Sequence, residues 1–337
     1  MKKAYLLVII VLVVAVAAGF ALYKPPPTKV RIGYMPAASY GLIWIAYEKG
    51  YFAQEGLDVT LKEYSTVAQL VGALYSKEID GAPITSIALA AFIKNIDARI
   101  VAGNSLDGTA LVTHETLAIS NISDLSGLTL GTVQYVPGDY VFKRAISTSS
   151  INITIREYLS PPDALSALES GSVNASLLWE PYASLAEFRK LSVCLWDADI
   201  YGKDYPCCLQ AFSDSFIKSN PDAVTKFIRA LIKAEVLAYS NTNEALPMVK
   251  KYLPNIPVEI VYKSVFYIDP DLGRARNPLS AYINPNDLRD FYSLLVPSLI
   301  TQNDFNLLLS KIDISYYQNA ILSLKSENFP LPSKYAG

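Results

Sequence analysis

From residue 28 onward the chain switches repeatedly between a strand-like and a helical hydrophobic period, and that order permits few folds. TKVRIGYM (28–35) alternates and reads as a strand, and GLIWIAYE (41–48) reads as a helix that Gly50 closes. LDVTLKEY (57–64) is a second strand and TVAQLVGALYSKE (66–78) a second helix. IDGAPI (79–84) is a short strand, TSIALAAFIKN (85–95) a helix capped by Thr85 or Ser86, and ARIVAGN (98–104) another strand. Strand–helix alternation of this kind predicts an α/β fold with a parallel, doubly wound sheet.

The pattern then restarts in a second, smaller unit at about 117–204, and returns to the first through PCCLQAFS (206–213). From 214 on the chain reads as mostly helical, packing on the first unit. The expected division is lobe 1 at 28–112 plus 209–325 and lobe 2 at 113–208, with crossings near 107–113 and 205–210. Two lobes joined by two crossovers can hinge, and the cleft between them is a natural ligand site.

The 337 residues, 51% of them hydrophobic, suffice for two cores. Net charge is −2, which argues against a nucleic-acid partner. Residues 1–27 read as an export segment and spacer: Lys2 and Lys3 precede an uncharged apolar run over 4–23, then Pro25, Pro26 and Pro27 stiffen the chain. Ala15-Val16-Ala17 offers a cleavage signal, while the length of the run favours an uncleaved membrane anchor; either places the rest outside the cytoplasm. Asn121, Asn152 and Asn174 stand in glycosylation-type triplets. Cys194 could bridge Cys207 or Cys208, or all three could be buried thiols. His114 is the one histidine, and it reads as an exposed loop residue. No metal-ligand spacing, P-loop or dinucleotide fingerprint occurs, so neither metal nor cofactor is expected.

Seven stretches, in this order, match one family: VRIGYMP (30–36), EKGYFAQEGLDV (48–59), EIDGAPITSIALAAF (78–92), IVAGNSLDGTALV (100–112), DLSGLTLGT (124–132), PPDALSALESGSVNASLLWEPYAS (161–184) and YPCC (205–208). The chain resembles the extracytoplasmic solute-binding proteins of the nitrate/sulfonate/taurine and thiamine-pyrimidine-precursor group, which serve ABC importers. The resemblance implies a type II periplasmic-binding-protein fold, two doubly wound lobes with a helical C-terminal extension. It also implies a monomer that hands a small solute, unaltered, to an ABC permease and its ATPase. One alternative is import of a thiamine pyrimidine precursor or a similar aminated heterocycle. Another is a pyrimidine-synthase-like enzyme on the same fold, which would need an active-site histidine and a cofactor lysine.

Ligands of open α/β sheets bind outside the carboxyl ends of the strands. In LLWEPYASLAEF (177–188) a strand ends at Trp179, and Pro181 is expected at the first position of the next helix, which offers Trp179, Glu180 and Tyr182 to a solute. Other strand ends and helix starts add Tyr34, Ser39, Tyr40, Thr85, Ser86, Asn104, Gln134 and Asp139. Free N–H groups at helix starts suit an anion, Thr85 and Ser86 best of all, unless these are plain caps. Asp139 and Glu180 lean instead toward a solute with donor groups. Tyr34, Tyr40, Tyr140 and Trp179 could stack on a flat ring.

Overall fold

A computed structural model describes residues 26–270 and 273–335. Within them lie the strands β1 (Thr28–Tyr34), β2 (Leu57–Glu63), β3 (Gly81–Thr85), β4 (Ala98–Leu106), β5 (Thr109–His114), β6 (Thr129–Val133), β7 (Thr154–Tyr158), β8 (Ala175–Trp179), β9 (Leu191–Trp196) and β10 (Pro206–Ser213). They form two sheets, ordered β2-β1-β3-β10-β4 and β7-β6-β8-β5-β9. The helices at 41–48 and 67–75 start within two residues of their expected positions, and the second lobe adds helices at 137–148 and 161–169. Thr66, Thr85 and Ser160 cap helices by accepting a backbone N–H, as their hydroxyls favour.

The parallel expectation needs correcting, because both sheets are mixed. β1 pairs in parallel with β2 and β3, and β6 with β7 and β8. β10, however, runs antiparallel to β3 and β4, and β5 antiparallel to β8 and β9. The odd strand in each sheet is the one entered directly from the other lobe. A strand that starts at the crossing must run away from it, whereas strands reached through a crossover helix run toward it.

Strand pairing also moves the lobe division. Residues 109–112, expected in lobe 1, belong to β5 in the second sheet, and 206–208, expected in lobe 2, belong to β10 in the first. The crossings are therefore 107–108 and 202–205. β9 went unrecognised in the sequence, where LSVCLW follows a helix without a turn signal.

The expected C-terminal helices pack on the first lobe but also reach the second. The long helix Pro221–Ser240 buries Phe227, Ile228 and Leu231 completely, each contributing about 1.5–3 kcal/mol by leaving water. The segment 278–281 runs along β4, with hydrogen bonds Gly103 N–H to Ala281 O (3.1 Å) and Leu106 N–H to Pro278 O (3.0 Å). Gly103 permits this approach, since a Cβ there would stand 2.1 Å from the Tyr282 carbonyl oxygen. Leu294, farther along, accepts hydrogen bonds from Tyr140 Oη (2.5 Å) and Arg144 Nη1 (3.1 Å) of the second lobe.

Among the described residues no helix is long and apolar enough to cross a membrane; the expected export segment at 1–27 falls almost wholly outside them. Asn121 caps a helical turn, and Asn174 Oδ1 accepts from Thr129 N–H (2.8 Å). His114 ends β5 half-buried, with Nε2 2.8 Å from Leu168 O, so it is no exposed loop residue. All three cysteines are free: Cys194 lies beside Thr113 within the second lobe, apart from Cys207 and Cys208.

Candidate functional site

The two crossings are fixed by side chains from three parts of the chain. Asp107 (φ 45°) and Gly108 (φ 106°) turn in the left-handed region. Asn277 Nδ2 donates to the carbonyls of Leu106 (2.7 Å) and Asp107 (2.9 Å) and fills the space where a Gly108 Cβ would stand. Arg274 reaches Asp107 Oδ2 (2.7 Å) on the first crossing and Asp204 Oδ1 (2.5 Å) on the second. Asp107 Oδ1 accepts from Tyr205 N–H (2.9 Å). Buried Asp197 accepts from the backbone N–H of Thr109 (2.8 Å) and Ala198 (2.8 Å) and from the Tyr205 hydroxyl. Burial raises both carboxyls, Asp197 to about 6, and Asp197's charge raises Asp107 further, so the two titrate together.

In front of this hinge lies a cavity of about 30 Å³, roughly one water molecule. Ser39, Tyr40 and Thr85 reach it from the first lobe, and Trp179 and Glu180 from the second, so five of the eleven expected residues meet there. Thr85 both caps its helix, accepting from Ala88 N–H (3.2 Å), and donates across the crevice to Tyr135 O (2.6 Å). The first turn at Ala38–Tyr40 leads into the helix Gly41–Glu48, and its leading N–H groups have no intrahelical acceptors.

Glu180 is 2% exposed. Its carboxylate accepts from Ser184 Oγ (2.7 Å), Ser184 N–H (3.1 Å) and Ser264 Oγ (3.2 Å). Burial outweighs these donors and pushes its carboxyl up to about 7. Trp179 is half-buried beside it. Pro181 stands at the cap position rather than inside the helix, which begins at Tyr182.

The other six expected residues do not line this cavity. Tyr34 donates to Glu63 Oε2 (3.1 Å) and packs edge-on against Trp44. Ser86 donates to Pro206 O (2.7 Å), bracing β10. Asn104 Nδ2 donates to Ser39 O (2.6 Å) and its Oδ1 accepts from Gln210 (2.9 Å), so it supports the crevice from behind. Gln134 bonds Glu157 on the surface. Asp139 pairs with Lys143 (3.0 Å), and burial raises it to about 6. Tyr182 is packed away, and burial raises its phenol. The expected ring-stacking Tyr140 instead spans to Leu294.

Sequence reasoning missed Met35, Asp107, Cys207, Cys208 and Asn277, all of which line the cavity. A larger, mostly apolar cavity of about 580 Å³ opens between the first sheet and the C-terminal extension. Its basic groups Arg274 and Lys334 already pair with Asp107, Asp204 and Glu235, so among the described residues it offers a solute no free cation. The smaller cavity is the stronger candidate, because both lobes close upon it.

The model of the NMT1-like family matches residues 23–249. A Bacillus subtilis (strain 168) protein named for binding aliphatic sulfonates is 28% identical over 70% of this chain and 74% of its own. Among solved structures, the alkanesulfonate-binding protein SsuA of Xanthomonas axonopodis pv. citri, bound to MOPS, is 17% identical. It superposes with a TM-score of 0.69 over 86% of this chain and 99% of that one. The nitrate-binding protein NrtA of Synechocystis PCC 6803 is 14% identical, with a TM-score of 0.74 over 93% of both chains.

Proposed function

The chain belongs to the NMT1-like family, and from that premise we propose that it is an extracytoplasmic binding receptor. It captures a small solute of the sulfonate/nitrate class between its lobes and delivers it, unaltered, to an ABC permease and its ATPase. The observation that carries this reading is the cavity closed from both sides, by Ser39, Tyr40 and Thr85 on one lobe and Trp179 and Glu180 on the other. About 30 Å³ holds no organic solute, so loading requires the lobes to part about the crossings at 107–108 and 202–205. Binding then shifts the lobes toward closure only by its preference for the closed form.

Electrostatics support an anion more than the sequence suggests. Asp139 lies outside the cavity, and Glu180, raised to about 7, is largely uncharged at mildly acidic pH. The helix start at Ala38 supplies N–H donors and a favourable dipole end. The hydroxyls of Ser39 and Tyr40 supply further donors. The alternative, an aminated heterocycle such as a thiamine pyrimidine precursor, is supported by the Trp179 ring and by Glu180 in its ionised form. In either case the receptor works as a monomer held at the membrane by 1–27.

A thermal-shift screen of alkanesulfonates, taurine, nitrate and aminopyrimidines tests the reading, because a ligand specific to the native state raises apparent stability. Sulfonate or nitrate is expected to raise the midpoint and aminopyrimidines to leave it unchanged. A shift from aminopyrimidines alone would move the assignment to the alternative.

A further inference from the structure

Neighbouring residues of a strand face opposite sides of its sheet, so Cys207 and Cys208 of β10 would ordinarily point apart. Here the register of β10 against β4 breaks between Pro206 and Cys208 and again between Cys208 and Leu209. This bulge brings the two sulfurs to 3.7 Å, and both cysteines line the crevice cavity. Two thiolates bound to one metal ion at about 2.3 Å, with a near-tetrahedral angle between the bonds, hold their sulfurs about that far apart. Met35 lines the same cavity and adds a neutral thioether. A space of about 30 Å³ is the size for a single bound atom.

Thiolate and thioether are soft donors, which select Cu(I) among the common first-row ions. The two sulfurs already lie within reach of one S–H···S hydrogen bond, in which either thiol can donate. We propose that Cys207, Cys208 and Met35 form a binding site for a soft monovalent cation, Cu(I), between the lobes. On binding, two S–H bonds give way to two Cu–S bonds, two protons leave to solvent, and no electron moves, because copper enters and stays as Cu(I). The inference uses the crevice on which the solute-binding reading rests, but not the identity of that solute.

The test is an anaerobic titration of the full chain, reduced with a phosphine, against the coloured Cu(I) complex of bicinchoninate. The protein is expected to withdraw one Cu(I) per chain. Cys207→Ser or Cys208→Ser should each weaken this by about a hundredfold or more, and Met35→Leu by about tenfold, as expected for lost soft ligands. Cys194→Ser should change nothing. Thermal midpoints with and without Cu(I) give a second readout: copper raises that of the parent and not that of the double serine variant. The inference is overturned if the parent leaves copper with the chelator, if the double serine variant competes as well as the parent, or if Cys194→Ser weakens binding as much as the other serine variants. A sulfonate- or nitrate-induced thermal shift, measured without copper on the parent chain, reports the solute-binding reading separately.

Discussion

The hinge and the grip lie side by side, and both are built around a buried acid, yet they are held in opposite ways. At the hinge, Asp107 is bound by Arg274 and by a backbone N–H, and Asn277 pins the carbonyls on either side. In the grip, Glu180 meets neutral donors at Ser184 and Ser264, and Thr85 reaches across to Tyr135 by one hydroxyl. Arg274 bonds a carboxyl on each crossing and so ties the two crossings together. Glu180 is hydrogen-bonded only to hydroxyl and amide donors, which no fixed cation reinforces. The contrast separates a part that fixes where the lobes turn from a part that can loosen.

Four experiments would break or sharpen that contrast, in falling order of effect. Arg274→Ala leaves Asp107 buried without its cation and should cost about 4 kcal/mol in chemical denaturation; a loss below about 1 kcal/mol, the scale of a surface pair, would show that the hinge is no more fixed than the grip. The second is a pH series. Glu180 is raised from 4.5 unfolded to about 7 folded, so the folded state is favoured while it is protonated. Stability should fall as pH rises from about 4.5 through 7, by at most about 3 kcal/mol from this group, and Glu180→Gln should flatten that fall. Parallel curves for the two proteins would remove Glu180 from the account. Third, Trp179→Ala should weaken binding of the identified solute by about 2 kcal/mol, near thirtyfold, in calorimetry; unchanged affinity would take Trp179 out of the grip. Fourth, Thr85→Val removes a helix cap and the bond to Tyr135. It should cost about 1 kcal/mol and enlarge the solute-free protein in X-ray scattering; an unchanged scattering profile would mean that this bond does not hold the lobes together.

The layout of the lobes was legible because hydrophobic period and cap residues are local signals. Trp179 and Glu180 could be placed at the crevice because ASLLW ends where a helix begins. Strand direction is not local: no period distinguishes β10 running away from the crevice from β3 running toward it, so the sheets read as parallel. Nor does the sequence announce a bulge, which is why YPCC showed two cysteines without showing that both face the crevice. Asn277 lies about 170 residues from the Asp107 carbonyl it holds, and only tertiary packing brings the two together. Asp139 sits at a helix start as expected, but Lys143 one turn later claims it.

The antiparallel neighbours at the crossings carry one more consequence. Leu106 and Pro206 face each other at the ends of β4 and β10, and Ala110 and Trp196 do the same in β5 and β9. The whole second lobe is thus an unbroken insert between two paired strand ends, and a tight turn from Leu106 to Pro206 would reseal the first sheet as an ordinary hairpin. The second lobe is therefore one continuous cassette of sequence, whereas the first is assembled from segments on either side of it.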